Sequence, residues 1–269
     1  MTTIETLKDV APSAFRMPED GAANGVSKHY KFMTTMDIIN ILESMHWNLH
    51  NARQQKSKKN PETTKHMLTF RNPMFGSVGV GGNIPQILLV NSHDRTSSLA
   101  FYLGIYRLIC SNGAVVQTKS IHDYNVRHMG TEFDVVKQVI TEITNSFPMV
   151  FESISKFGNK LMTPIEQREF ALRSLAVRYP EYLNQTTGNL DVQNILDTID
   201  FDSYVKPIRV EDGGNDLWTI FNKAQEKLIK GGFQRIGDTG KSKAVRPITN
   251  ILTDVKVNQG LWSLAESFV

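Results

Sequence analysis

Residues 66–90 read HMLTFRNPMFGSVGVGGNIPQILLV. Two strand-length runs, HMLTFR at 66–71 and IPQILLV at 84–90, flank the glycine-rich turn FGSVGVGG at 75–82. Apolar, β-rich runs on either side of turn residues predict neighbouring strands. Working outward, residues 47–53 read as extended, and the polar stretch 54–63, with Pro61, reads as a hairpin loop before the strand at 66. Further strands are expected at 28–33 (KHYKFM), 99–110, 114–117 and 120–127. Between the first two strands, Thr35 is positioned to cap a helix over 36–46, whose Ile38, Ile41, Leu42 and Met45 recur at three- and four-residue spacing.

Helical periodicity takes over after Thr131. Phe133, Val136, Ile140, Ile143, Phe147, Val150 and Ile154 mark one long helix, with Pro148 expected to kink it. Thr163-Pro164-Ile165-Glu166 is a capping box with proline in the first turn, and that helix should stop before Pro180. A third helix is expected over 215–230, ended by Gly231, and a short terminal one over 261–268. Strands first and helices later predict an α+β fold: an antiparallel β-rich core (28–130) followed by a mostly helical half (131–269), behind a flexible or loosely docked arm (1–27). The two parts are expected to form a single domain that is not an OB barrel.

Composition narrows the class. The chain has 269 residues, 40% of them hydrophobic and 21% charged, which excludes a disordered chain. A lone cysteine, Cys110, excludes an intrachain disulfide and a cysteine-based zinc site, and favours a reducing compartment. The start lacks a signal-peptide pattern, and no apolar run reaches the ~18 residues of a membrane helix. A cytoplasmic protein without a membrane partner is the expectation.

The net charge of +3 conceals a pattern. In 53–71, Arg53, Lys56, Lys58, Lys59, Lys65 and Arg71 face Glu62 alone, a net +5. In 223–246, seven basic residues face Glu226 and Asp238, again +5. In 191–216, seven acids face Lys206 and Arg209, a net −5. Basic runs of this kind attract polyanions, and they also occur as plain solvated loops.

Catalytic patterns are thin. The glycine turn is neither G-x-G-x-x-G nor a P-loop. His93-Asp94, His122-Asp123 and His128 form no metal-ligand spacing, Cys110 lies in an apolar run, and no G-x-S-x-G is present. No enzyme, metal or cofactor is expected. Binding to single strands needs cations that track phosphates and aromatic faces that stack on bases. Trp47 and Phe70 flank the first basic run. Phe101, Tyr102 and Tyr106 lie near Arg95 and Arg107, Tyr124 lies between Lys119 and Arg127, and Trp218 and Phe233 bracket the second run. The candidate nucleic-acid-binding residues are therefore Trp47, Arg53, Lys56, Lys58, Lys59, Lys65, Arg71, Arg95, Tyr102, Tyr106, Lys119, Arg127, Lys241 and Lys243. Most of the aromatics also suit a core.

Residues 91–116, NSHDRTSSLAFYLGIYRLICSNGAVV, resemble the N-S-H-D-G-(S/T)-S…R-L-(V/I)-C-S-N-G signature of a large phage and plasmid family of unknown function, with Arg95 where glycine is usual. HYKFMTTMDIINILESMHW (29–47), HMLTFR, LWTIFNKAQEKLIKGG (217–232) and RPITNILTDVKVNQGLWSLAE (246–266) are similar to it as well. Within that group the chain looks most like the single-stranded-DNA-binding RNA polymerase cofactors of phages that inject a virion RNA polymerase. That resemblance implies ssDNA binding on a fold unlike the OB barrel, and recruitment of a phage RNA polymerase to middle promoters in the host cytoplasm. The implied partners are ssDNA and that polymerase, with self-association open. Two alternatives remain. One is a protein-interaction adaptor using the acidic run 191–216; the other is a nucleic-acid-processing enzyme built on His93, Asp94, His122 and His128.

Overall fold

The computed structural model describes residues 4–16, 34–58, 61–77, 82–93, 99–108, 112–116, 124–126, 133–237 and 239–269. The expected strand at 28–33 lies outside them. The chain forms two compact units, Met1–Arg107 with Lys119–Met149, and Leu108–Thr118 with Val150–Val269. Their limits do not coincide with the boundary expected at 130/131.

The first unit opens with α1 (Ile4–Val10) and a 3₁₀ turn (Pro12–Phe15). This part of the expected arm is firmly docked: Leu7, Ala11, Ser13 and Ala14 are all buried. Helix α2 (Thr35–Ser44) is capped by Thr34, not Thr35, through a bond from the Asp37 amide. Thr35 is instead drawn into the core. Strands β1 (Asn48–Gln54), β2 (His66–Arg71), β3 (Asn83–Asn91) and β4 (Leu99–Arg107) pair antiparallel in that order. After β5 (Asn112–Val116), which belongs to the second unit, β6 (Tyr124–Val126) also pairs with β4. Helix α3 (Phe133–Asn159) continues through Pro148, and the division between units falls inside it.

Strand alternation explains the core. Leu68 and Phe70 of β2, Ile87 and Leu89 of β3, and Phe101 and Leu103 of β4 stand opposite one another on one face, each at most 1% exposed. At one end of this face lies a buried polar cluster. His66 Nδ1 lies 2.9 Å from Ser13 Oγ, and its Nε2 lies 3.0 Å from Thr35 Oγ1. Thr35 Oγ1 also accepts from Asn91 Nδ2 at 3.2 Å and lies 3.4 Å from His93 Nε2. Ser13 Oγ donates to the Thr64 carbonyl, so it accepts from His66 Nδ1–H. His66 Nε2 then accepts the Thr35 hydroxyl proton, and Thr35 accepts from His93 Nε2–H. The His66 imidazole fits as a neutral ring.

The second unit is helical. In α4 (Pro164–Arg178) the Thr163 side chain accepts from the Glu166 amide, while Glu166 accepts from the Thr163 amide at 2.7 Å. The helix stops before Pro180, as its sequence requires. Next come α5 (Val192–Thr198), α6 (Phe201–Val205) and α7 (Leu217–Lys230). Gly231 ends α7 at φ +75°, where a Cβ would lie 2.2 Å from the Val245 carbonyl oxygen. A hairpin of β7 (Gln234–Ile236) and β8 (Ser242–Ala244) precedes α8 (Ile251–Glu266), which starts ten residues earlier than expected. The hidden part includes Gly260, a weak helix former whose absent side chain admits Val177: a Cβ there would meet Val177 Cγ1 at 2.7 Å. Trp218, Phe221, Trp262 and Phe157 form the core, with the Trp218 and Phe221 rings stacked at 5.3 Å. Strand β5 joins this core through Gln225, which donates to the Gly113 carbonyl at 2.9 Å. The antiparallel sheet followed by helices establishes an α+β fold.

Two stability tests follow from these bonds. Thr35→Val keeps the shape of the side chain but removes the oxygen shared by His66, His93 and Asn91; urea unfolding should show a loss of about 2–3 kcal/mol. Glu166 is held down to about 2 by the Lys160 ammonium, then by the Thr163 amide and hydroxyl. A depressed carboxylate stabilises fully above its unfolded value near 4.5 and loses that contribution as pH falls toward 2. Glu166→Gln should flatten the stability profile in that window, as measured by thermal melts against pH.

Candidate nucleic-acid interface

The first basic run lies on β1, β2 and the loop between them. Lys56 and Lys58 are exposed on that loop and make no ion pair among the described residues. Lys59 lies outside the described residues, as do Arg95, Lys119 and Arg127. Lys65 is buried, which removes it from the surface set.

The second face of the sheet is also largely buried, at Thr69, Gln86, Leu88, Val90, Ala100 and Tyr102, and it carries several other candidates. The Arg71 guanidinium lies 4.1 Å from the centroid of the Tyr106 ring. With the Gln86 amide oxygen facing it, Arg71 donates to that oxygen from Nε at 2.8 Å and Nη2 at 2.9 Å. Arg53 stands opposite Met67, which shares its face with Arg71 by two-residue alternation. Tyr102 shares the Tyr106 face for the same reason, but its ring is only 8% exposed, so Tyr102 packs the sheet and offers little to a base. A bulge between Leu49 and Asn51 leaves His50 out of register. A cavity of about 280 Å³ opens there, lined by Asn48, His50, Arg71, Asn72, Phe75 and Ile84 among others. Burial, and then the Arg71 charge, lower the His50 pKa.

Trp47 is not a stacking platform. It is 1% exposed, stacks on Phe75 and Phe147, and donates from Nε1 to Thr144 Oγ1 at 3.2 Å. Trp218 and Phe233 are likewise core residues.

In the second unit the basic run divides. On α7, Lys227 donates to the Ser203 carbonyl and Lys230 pairs with Glu226, so these lysines serve the fold. The β7–β8 hairpin differs. Lys241 and Lys243 are exposed, and Lys243 stands directly across from Arg235. Like charges directly opposite on a hairpin destabilise it unless an anion intervenes, and Glu181 at 3.4 Å from Arg235 offsets only part of this. Arg178 and Arg235 both place their guanidinium groups over the Tyr179 ring, 5.3 and 5.1 Å from its centroid. Burial raises the Tyr179 pKa against the pull of those two cations, so the phenol stays neutral. Arg178 is anchored by the carbonyls of Leu228 and Arg246. Sequence reasoning missed Arg178 and Tyr179 because α5 and α6 separate them from the basic run along the chain; only the adjacent Arg-Tyr pair gave a signal.

The acidic run is partly outward and partly used by the fold: Asp191, Asp197 and Asp202 are exposed, and Asp212 is buried. Asp191, Asp200 and Asp216 cap α5, α6 and α7. Arg209 gathers Asp212 and Glu226. Burial raises the Glu226 pKa, but Arg209 and Lys230 overcome it and keep the carboxylate ionised. Of the signature residues, Asn91 and His93 belong to the buried cluster, and Gly113 accepts from Gln225. Asp94, Cys110, His122 and His128 lie outside the described residues. Among the described residues, no three His, Cys, Asp or Glu side chains converge as metal ligands, and no helix is long and apolar enough to cross a membrane.

Residues 23–262 match the model of a family described as "Domain of unknown function (DUF932)". The chain belongs to this family. Two relatives from Escherichia coli (strain K12), UPF0380 protein YfjQ and UPF0380 protein YafZ, are each 32% identical to it over 272 residues, covering 99% of this chain and 91% of the relative. No solved structure matches the chain. The matched family region includes the Arg71–Tyr106 face and the β7–β8 hairpin.

The electrostatic link between Arg71 and His50 is directly measurable. Arg71→Gln removes a charge that lowers the imidazole pKa, so an NMR titration should show the His50 midpoint rising, while burial keeps it below 6.5.

Proposed function

We propose that this chain is a sequence-tolerant single-stranded-DNA-binding protein, a binder and not an enzyme. In this reading it works in the host cytoplasm as the cofactor that recruits or activates a phage RNA polymerase for middle-gene transcription. The observation that carries the DNA-binding part is the Arg71–Tyr106 corner of the sheet in the first unit. There a cation is already stacked on a half-buried ring beside a cavity, while the exposed Lys56 and Lys58 lie on the loop at the other end of the β1–β2 hairpin. An arginine preset on tyrosine meets a phosphate or the face of a base without first losing side-chain freedom. The basic hairpin of the second unit, with Tyr179 between β7 and α4 in the chain's contact network, offers the same pair of chemistries. The polymerase part rests on the likeness of residues 91–116 to the phage cofactor Drc.

Titrations of ssDNA, dsDNA and ssRNA at several salt concentrations test the reading. Single-strand affinity should fall by about 0.7 log units per log unit of salt for each phosphate neutralised. Reversing Lys56, Lys58 and Lys59 to Glu should weaken all sequences alike and reduce that slope. Tyr106→Ala should cost about 1–3 kcal/mol of binding if a base stacks there. Salt-insensitive affinity, or equal affinity for duplex and single strand, would overturn the proposal.

A further inference from the structure

A second kind of site lies in the helical unit, between α4, α6 and α7. A cavity of about 430 Å³ is lined there by Phe170, Phe201, Tyr204, Val205, Ile220 and Ala224, together with α4 residues and Pro207. Its volume falls within the ~300–1,000 Å³ range of ligand sites. The only charged side chains in the lining are two cations, Arg168 and Lys223.

Neither cation has a direct acidic partner among the described residues. Arg168 is exposed and lies 5.0 Å from the centroid of the Phe201 ring. Lys223 is half-buried, and its nearby carboxylates are already committed. Asp212 accepts from Arg209 at 3.2 Å, and Asp216 caps α7 and accepts the Thr219 hydroxyl at 2.7 Å. Burial lowers the Lys223 pKa, and Asp212 and Asp216 only oppose that. A half-buried ammonium without an ion-pair partner is a place where an incoming carboxylate gains most.

Apolar chain neighbours of the lining residues point to the size of the occupant. Ile165, next to the lining residue Pro164, is 80% exposed, and Ile208, next to Pro207, is 53% exposed. Val210 follows at 94%, and Val205 is itself part-exposed. Aliphatic side chains left in water on the segments that line an apolar cavity mark a surface for a macromolecule more than for a small solute. They also disfavour a phosphate backbone. Tyr204 cannot readily read a base edge, because its hydroxyl is already paired with Ser174 at 2.6 Å. We propose that this cavity docks a protein segment that inserts an apolar side chain and sets a carboxylate against Arg168 and Lys223. The inference stands on the second unit alone and is independent of the DNA-binding reading.

The test uses the full chain and a panel of fluorescein-labelled dodecapeptides. Each peptide places Leu or Phe at i and i+4 among aspartates and glutamates, with matched controls carrying lysine and arginine. Fluorescence polarisation should show acidic members binding tighter than about 1 mM, with the basic controls at least about tenfold weaker. Methyl NMR should place the shifts on Val205, Ile220 and Ala224. Lys223→Met and Arg168→Gln, both mild changes at sites outside the core, should each weaken the acidic peptides about tenfold while melting temperature stays put. Four results would overturn the proposal. They are no binding by any acidic member, equal binding of acidic and basic members, shifts mapping elsewhere, and displacement by oligo-dT. Concentration-dependent sedimentation abolished by Lys223→Met would overturn it too, by giving the cavity to a second copy of the chain.

Discussion

The first unit depends on a single oxygen, Thr35 Oγ1. It links helix α2 to His66 of β2 and to Asn91 and His93 at the end of β3, deep in a site without water access for any of them. A buried imidazole left without a partner carries the full desolvation penalty of its nitrogens. In the neutral arrangement Ser13 accepts from His66 Nδ1–H, with the Thr64 carbonyl 3.3 Å from the same nitrogen. The N-terminal segment, α2, β2 and β3 are therefore tied to one another by complementarity of donors and acceptors. Apolar packing alone would tolerate slippage between them; a directional network does not. This also gives a physical role to Asn91 and His93, which as sequence suggested a reactive pair. Their chemistry is used in holding the sheet to its cover.

A parallel allocation governs charge in the second unit. A run with net −5 reads as an acidic surface when it is counted along the chain. In the fold, three of its carboxylates occupy helix N-caps, where amide donors and the helix dipole hold them. Arg209 binds a fourth together with Glu226. Several acids are turned to local use, while Asp191, Asp197 and Asp202 remain exposed alongside Lys241, Lys243 and Arg246.

Much of this fold was legible in the sequence, and the reasons are specific. Strands β2 and β3 stand where strand-length apolar runs flank turn residues, and α4 begins and ends at its capping box and at Pro180. These signals are local. What escaped reading was decided by contacts distant in sequence. Thr34 and Thr35 are equally good caps by type; His66, 31 residues on, decides between them by claiming Thr35. Helix α8 was half hidden because Gly260 looks like a breaker until Val177 is seen to need its space. The candidate site shows the same limit. Lys56 and Lys58 are exposed as a polar loop should be. Trp47, Lys65 and Tyr102 are buried, since side-chain burial depends on what packs over a strand and not on the residue's neighbours in the chain.

Each unit also carries its own arginine-on-tyrosine pairing, Arg71 with Tyr106 in one and Arg178 and Arg235 with Tyr179 in the other. In neither case is the guanidinium neutralised by a buried carboxylate. Arg71 is held by a neutral amide and Arg178 by two carbonyls, whereas Arg235 has the exposed Glu181 carboxylate at 3.4 Å. Neutral acceptors fix a guanidinium in place without cancelling its charge, so its field stays available to an anion. A salt bridge would fix the same geometry and quench that field. Fixing position while preserving charge is what recognition of a flexible polyanion requires, because the ordering cost then falls on the ligand alone. That two different elements, a sheet strand and a helix end, hold Arg71 and Arg178 by the same means gives the proposed interface a physical basis that a count of lysines does not.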